Sequence, residues 1–349
     1  MDKKSDSRAT NSYFAAANGY TGFRSLFGEI FDSEKFDRLF VIKGGPGTGK
    51  SSILRRLIAL ASERGYESDA IYCSSDVNSL DGVILRNGRR SIAALDGTAP
   101  HEVDARYPGA KDEIVNLGDG FDIARLGEKC DKIIELTKSK KAAYEAAYSY
   151  LSLAGKIDSV TKGVLTKYTN YNEAERIAEE LADRVQRIEN NPIKRVYMSA
   201  FGRDGYVRIS EAATDNTRCY TIYGSRHAVC VQMSAIYRAL SLKGAVKVIA
   251  LSPFDDGVIE AIETDECVYR ISSENGNLCS DSLISHYTAA TKALEAMYND
   301  TLALAREAFS EASRAHFELE AIYSQSVDFS NNERILSGII GRITEILEN

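Results

Sequence analysis

Lys43-Gly44-Gly45-Pro46-Gly47-Thr48-Gly49-Lys50-Ser51-Ser52 meets the pattern G-x-x-x-x-G-K-[ST] through Gly44, Gly49, Lys50 and Ser51. A loop of this composition can wrap a phosphate with its amide N–H groups pointing inward. Side chains at the glycine positions would block the anion or forbid the φ angles that the wrap requires. Lys50 can reach the β- and γ-phosphates as a point charge, and the Ser51 hydroxyl can ligate Mg²⁺. The chemistry expected of residues 44–52, from Gly44 to Ser52, is the binding of a nucleoside triphosphate with magnesium.

Magnesium in such a site also needs an acid at the end of a neighbouring strand. Asp96 closes the apolar run Ile92-Ala93-Ala94-Leu95 and is the best placed. Asp76 and Asp81 compete for that role or could hold an attacking nucleophile. No Glu follows Asp96, so the Asp-Glu pair of many ATPases is absent. The group that orients water is open among His101, Glu102, Asp104 and Asp76. His101 follows the acid strand most closely, and a histidine there could equally position the loop. Arg203 and Arg125 are further candidates for neutralising charge.

These residues need a scaffold that brings strand ends together. The β run Leu39-Phe40-Val41-Ile42 leads straight into the glycine loop. Ile53, Leu54, Leu57, Ile58, Leu60 and Ala61 then recur at helical spacing as far as Gly65. A second β run, Ala70 to Cys73, is followed by an acidic loop from Ser74 to Gly82; a third, Ser91 to Leu95, ends at Asp96-Gly97-Thr98-Ala99-Pro100-His101. Strands alternating with crossovers predict a parallel sheet flanked by helices, with the ligand at its carboxyl edge.

Beyond Leu126 the pattern turns helical. Cys130, Ile133, Thr137, Tyr144, Tyr148 and Leu151 share a stripe, and neither Gly nor Pro interrupts residues 128–154. Ala174, Ile177, Ala178, Leu181, Val185 and Ile188 mark a second helix, stopped near Asn190-Asn191-Pro192, and the pair is expected to form an antiparallel hairpin. The sequence then starts again. Tyr197 to Tyr206 echoes Phe14 to Phe23, with Gly202 against Gly19 and Gly205 against Gly22; Cys219 to Gly224 echoes Leu39 to Gly44, and Asp256-Gly257-Val258-Ile259 echoes Asp81-Gly82-Val83-Ile84. Residues 277–337 lack Gly and Pro, and Tyr287, Leu294, Tyr298, Ala305, Phe309, Ala312, His316, Leu319 and Tyr323 recur there at helical spacing. The expected architecture is α/β: a P-loop NTPase-like sheet, duplicated, with long helical arms. Its parts are a core at 1–124, a helical hairpin arm at 125–191, a second core at 192–280 and a helical C-terminal region at 281–349. In the second core Gly224-Ser225-Arg226-His227-Ala228-Val229-Cys230-Val231 stands where the phosphate loop stood, and the place of Asp96 falls near Ser272. Lysine, hydroxyl and metal acid are lost together, which predicts an inactive second half.

Composition narrows the partners. The chain has 349 residues, 44% hydrophobic and 27% charged, and a net charge of −7, which gives no global attraction to nucleic acid or anionic lipid. The polar start, Met1 to Ser12, lacks the apolar core of a signal peptide, and no stretch approaches a membrane span, so a cytoplasmic protein is expected. The six cysteines are scattered with no C-x-x-C pair, as buried free thiols would be.

Together, Lys43 to Ser52, Cys73 to Asp76, Ser79 to Gly82, Leu95 to His101, Tyr107 to Ala110 and Glu113 to Gly118 resemble a poorly characterised prokaryotic family of tandem P-loop ATPases. The resemblance covers most of the chain and is specific mainly over residues 12–120. Many members keep a phosphate loop in both halves; this sequence departs from that in the second. The resemblance implies nucleotide handling. An ATPase whose nucleotide state moves its halves or arms is the leading expectation, the arms serving as levers or as the surface of a homodimer. A P-loop kinase with Asp76 or His101 near an acceptor hydroxyl is the alternative, and a nucleotide-gated binding module with negligible turnover the third. No N-K-x-D stretch of the guanine-reading kind is present, so ATP is favoured.

Overall fold

The computed structural model describes residues 2–4, 9–187, 192–210, 218–272 and 275–348; Ile188, Asn190 and Asn191, named above at a helix end, lie outside that set. Apolar runs such as Leu39 to Ile42 and Ile92 to Leu95, each essentially without solvent exposure, pair into one sheet of twelve strands. From one edge its order is Asp112–Asn116, Arg38–Lys43, Arg90–Asp96, Leu80–Asn87, Glu67–Tyr72 and Asn11–Phe14. It continues through Lys194–Tyr197, Val248–Leu251, Ile259–Glu263, Cys267–Ile271 and Arg218–Tyr223 to Leu278–Cys279. The two sets of six meet where Tyr197 pairs antiparallel with Phe14. Read outward from that junction, both sets run first, third, fourth, fifth, second, sixth in chain order.

The fold is α/β, as expected, but the sheet is mixed rather than parallel. Arg38–Lys43 is parallel to both its neighbours, whereas Glu67–Tyr72, Leu80–Asn87 and Arg90–Asp96 form an antiparallel meander. The missed strand begins inside the expected acidic loop, where Leu80 and Val83 to Leu85 are buried. Its return is a two-residue turn at Gly88-Arg89, with Gly88 at φ 58°, and the Asn87-Gly88 dipeptide is the hairpin signal that marks it. A bulge in the first hairpin leaves Asp81 between the pairs Tyr72–Leu80 and Ile71–Gly82. Bulges re-aim side chains, and this one turns an acid toward the sheet's carboxyl edge.

The two sets are clamped at their junction by Asp69, which has no solvent exposure. Its carboxylate accepts both Arg86 guanidinium nitrogens at 3.0 and 2.9 Å, the Asn11 amide, the Tyr13 hydroxyl and, from across the junction, Lys194 at 3.3 Å. Arg86 and Lys194 outweigh the cost of burial and hold this carboxyl below the usual aspartate range.

Helices Cys130–Leu165 and Ala289–Ser324 are 36 residues each, roughly 54 Å at 1.5 Å per residue. They pair with each other, antiparallel: Leu136 meets Ala315 and Leu319, Ala147 and Leu151 meet Ala305, Ala308 and Phe309, and Ala154 and Ile157 meet Tyr298. The expected hairpin of residues 125–191 therefore does not form. Cys130 and Thr137 of the expected stripe are exposed, and the seam follows alanines that let the backbones approach. The short helices beyond each arm cross over. Tyr171–Ala182 packs on Arg226–Leu242 of the second set, where the Gln232 amide donates to Ala174 O at 3.1 Å. The C-terminal helix Phe329–Glu348 covers the first set with Leu336, Ile339, Ile343 and Leu347, instead of closing the second. Among the described residues no helix is long and apolar enough to cross a membrane.

Candidate functional site

The glycine loop lies between strand Arg38–Lys43 and helix Lys50–Arg64, as its sequence requires. Gly47 and Gly49 take φ of 68° and 85°, a left-handed region closed to most side chains. A Cβ at Gly44 would lie 2.7 Å from Thr48 Oγ1, and that hydroxyl donates to Gly45 O at 2.8 Å, so Thr48 is an internal brace. Asn332 of the C-terminal helix donates to Thr48 O at 2.7 Å and fixes the loop from outside. Lys50 Nζ donates to Gly44 O at 3.1 Å and Gly45 O at 2.8 Å and lies 3.6 Å from Asp96. A phosphate at the loop would take over those carbonyls' place on the ammonium. Ser51 Oγ accepts the Leu80 N–H at 2.9 Å, and Ser52 is exposed on the new helix.

Asp96 ends the strand beside the loop strand, opposite Ile42. One carboxylate oxygen accepts the Thr98 N–H at 2.9 Å and the Thr98 hydroxyl at 2.5 Å; the other faces Lys50. Asp81, Asp96 and His101 come together, with one potential ligand atom from each within 4.8 Å of the others. His101 Nε2 is 3.5 Å from Asp81 Oδ2. Burial, reinforced by Asp96, pushes the Asp81 carboxyl up to about 8. Burial likewise pushes the His101 imidazole down to about 4, against the pull of Asp96. The imidazole meets the edge of the Phe27 ring at 4.4 Å between centroids.

One carboxylate oxygen of Asp76, Oδ1, accepts the Asn78 N–H and an Arg203 nitrogen, both at 3.0 Å. Arg203 comes from the second half, on the turn between Ser199–Gly202 and Gly205–Ser210. It also donates to Ser313 Oγ at 2.8 Å and stacks on Phe317. Of the remaining candidates, Asp104 pairs with Lys43 at the surface, and Glu102 and Arg125 are exposed.

Sequence reasoning missed what the arms bring. Glu320 packs over Gly47, where its carbonyl would lie 2.5 Å from a Cβ and its carboxylate lies near the Gly47 N–H. Burial, then Asp76, raises the Glu320 carboxyl. Lys140 of the facing arm is lowered by burial and then by the nearby Lys50. Lys50, Lys140 and Arg203 thus bring three cations from three elements to one mouth. The basic run Lys138-Ser139-Lys140-Lys141 reads in sequence as one solvated helical turn, and no local motif marks Glu320, because the position of both residues depends on the pairing of helices far apart in sequence. Beside the loop, the Phe121 and Tyr323 rings face Gly45, and a cleft of about 540 Å³ opens along Asp119, Phe121, Asp122, Gln325, Asp328 and Asn331.

The corresponding place in the second set is built otherwise. Gly224 leads through Ser225 alone into the helix at Arg226, so the loop is cut short. Arg226 pairs with Asp158 at 2.8 Å and lies 3.6 Å from the Tyr298 ring centroid. By strand register, with Ile271 paired to Ile222 as Asp96 is to Ile42, the place of Asp96 is taken by Ile271 rather than Ser272. The bulge that carries Asp81 recurs with Glu260, which displaces the expected match of Asp256 to Asp81. Comparison of the chain with models of protein families, with curated proteins and with solved structures gives no match.

Proposed function

We propose that the first half binds ATP with magnesium and hydrolyses it, and that the chain is a tandem P-loop ATPase whose second half no longer takes nucleotide. The observation that carries this reading is the loop itself, open-backboned at Gly47 and Gly49 and opening a helix at Lys50, with Asp96 one strand away and 3.6 Å from the ammonium. Loop amides and the unpaired N–H groups of the first helical turn would hold the phosphates, and Lys50 would exchange Gly44 O and Gly45 O for phosphate oxygens. Ser51 Oγ and the Asp96 carboxylate are the oxygen donors that would hold magnesium, a hard-ligand pair suited to that ion. When bound, magnesium offsets phosphate charge and fixes the terminal group for in-line attack.

Arg203 and Lys140 add positive charge at the mouth, where charge develops during transfer. Asn331, whose buried Nδ2 has no hydrogen-bond partner, gives the neighbouring cleft a donor for the nucleoside. Repeated strand order, two arms of equal length and the shared bulge support descent of both halves from one unit.

Titration of the full chain with a fluorescent ATP analogue and Mg²⁺, followed by phosphate release from ATP, tests the proposal. Lys50→Ala should lose about 3 kcal/mol of binding, roughly two orders of magnitude in Kd. Full affinity and turnover in that variant would refute the proposal.

A further inference from the structure

Among the described residues beside the phosphate loop, His101 is the one whose two side-chain polar atoms are both buried without a hydrogen-bond partner. His101 has a side chain only 6% exposed, and neither ring nitrogen has a hydrogen-bond partner. A buried imidazole without partners leaves the cost of its desolvation uncompensated. The Phe27 edge and, further off, the Phe23 ring hold it in place, and its Nε2 points at the Asp81 carboxylate. Asp81 reaches the same spot from the bulge and Asp96 from the strand end, with side chains 9% and 13% exposed. Two carboxylates and one imidazole converge where a single ammonium, Lys50, offsets their charge.

We propose that Asp81, Asp96 and His101 form a binding site for a divalent transition metal of the Mn²⁺ or Zn²⁺ class beside the phosphate loop. Bonds of about 2.0–2.2 Å place ligand atoms roughly 3–4 Å apart, and the His101–Asp81 separation of 3.5 Å already meets this. The full set, within 4.8 Å, closes by small side-chain rotations. Imidazole nitrogen selects a borderline metal over Mg²⁺, which prefers all-oxygen ligation. The second half supplies the contrast. There Glu260 occupies the bulge but is satisfied by the Ser199 and Tyr206 hydroxyls and Arg208, and Ile271 replaces Asp96. The ligand set is therefore a property of the half that keeps the phosphate loop and not of the fold.

This inference rests on the nucleotide reading only in placing the metal next to bound phosphates; the site itself needs no nucleotide. The full chain, stripped with chelator, is titrated with Mn²⁺ by electron paramagnetic resonance and with Zn²⁺ by calorimetry, without nucleotide. One equivalent is expected to bind to the parent and to Lys50→Ala, and Asp81→Asn and His101→Asn should each weaken it by at least about tenfold. Circular dichroism identifies a variant that has failed to fold, and Asp81→Asn keeps the side-chain shape. Co²⁺ should give visible bands that change on loss of the imidazole. Failure of the parent to bind either metal, or unchanged affinity in Asp81→Asn, overturns the site. Either result leaves ATP binding untouched, whereas metal binding without ATP binding removes the nucleotide reading alone.

Discussion

Asp81 makes the candidate site measurable without any ligand. Its carboxyl is buried and pushed up to about 8, while an exposed aspartate ionises near 3.8. Across that interval the folded chain holds a proton that the unfolded chain has released. The stability Asp81 contributes is present below about 4 and is lost as pH rises toward 8, at up to about 1.4 kcal/mol per pH unit. His101 acts in the opposite direction. With its imidazole pushed down from 6.5 to about 4, the unfolded chain takes up a proton that the folded chain refuses, so stability falls as pH drops below about 6.5. The two slopes oppose each other below about 6.5, and Asp81 acts alone above it. Asp81→Asn keeps the shape of the neutral acid and removes its titration. Between pH 5 and pH 8 the variant should gain up to about 4 kcal/mol on the parent. Urea unfolding in chelator at unit pH steps, read as a change of midpoint at constant slope, measures the gain. Parallel pH curves for parent and variant would show that Asp81 is ionised in the fold, and the electrostatic account of the cluster would fall.

Three further outcomes follow from named contacts. Asp69→Asn should cost about 1–3 kcal/mol in urea unfolding, since it strips the buried charge that the partly exposed Arg86 and Lys194 share, their exposure screening part of the attraction. Because those cations depress the Asp69 pKa, this stabilisation is present above the ordinary aspartate range and is lost as pH falls through it. On the proposed ATPase reading, Glu320→Gln removes a negative charge beside the Gly47 N–H, and ATP affinity should rise about fivefold, near 1 kcal/mol; equal Kd values would remove that charge from the account. Arg203→Ala should lower kcat at least about tenfold with Kd changed less than about threefold, and a loss of binding alone would make Arg203 a structural clamp.

Local rules carried the reading wherever the chain is its own context. The strand, glycine turns and helix of residues 39–65 follow from short-range sterics and from the amphipathic spacing of Ile53, Leu54, Leu57, Ile58 and Ala61, all of them buried, with Leu60 only partly so. The two matching turns were legible for the same reason, since Gly202 and Gly205 close one hairpin as Gly19 and Gly22 close another. Strand direction was not legible. Leu80 to Leu85 is a run that a buried strand of either sense could use, and only the Asn87-Gly88 turn tells. Arm pairing was harder still. Tyr144 and Tyr148 look like the apolar face of a hairpin, but Ala143 and Ala147 are the buried positions because the partner helix comes within alanine reach. Asp81 was weighed below Asp96 because a bulge, which decides where its side chain points, leaves no mark in periodicity.

The crossed construction gives the two halves a mechanical reason to stay together. The first half's turn sends Tyr20 to the Tyr298 hydroxyl at 2.8 Å and to Arg226 at 3.3 Å, at the start of helix Arg226–Leu242 in the second set. The second half's turn sends Arg203 to Asp76, beside the loop that remains. One helix, Ala289–Ser324, carries Ser313 and Phe317 against Arg203, Glu320 against Gly47 and Tyr323 against Gly45. On the proposed reading, a phosphate chain at Gly47 competes with Glu320 while a terminal phosphate competes with Asp76 for Arg203. Both exchanges act on the same three turns of one helix, whose other end reaches the second half at Tyr298. On that reading one rigid arm would link a local exchange of anions to the far site, and a helix held by only one of these contacts would not be driven in the same way.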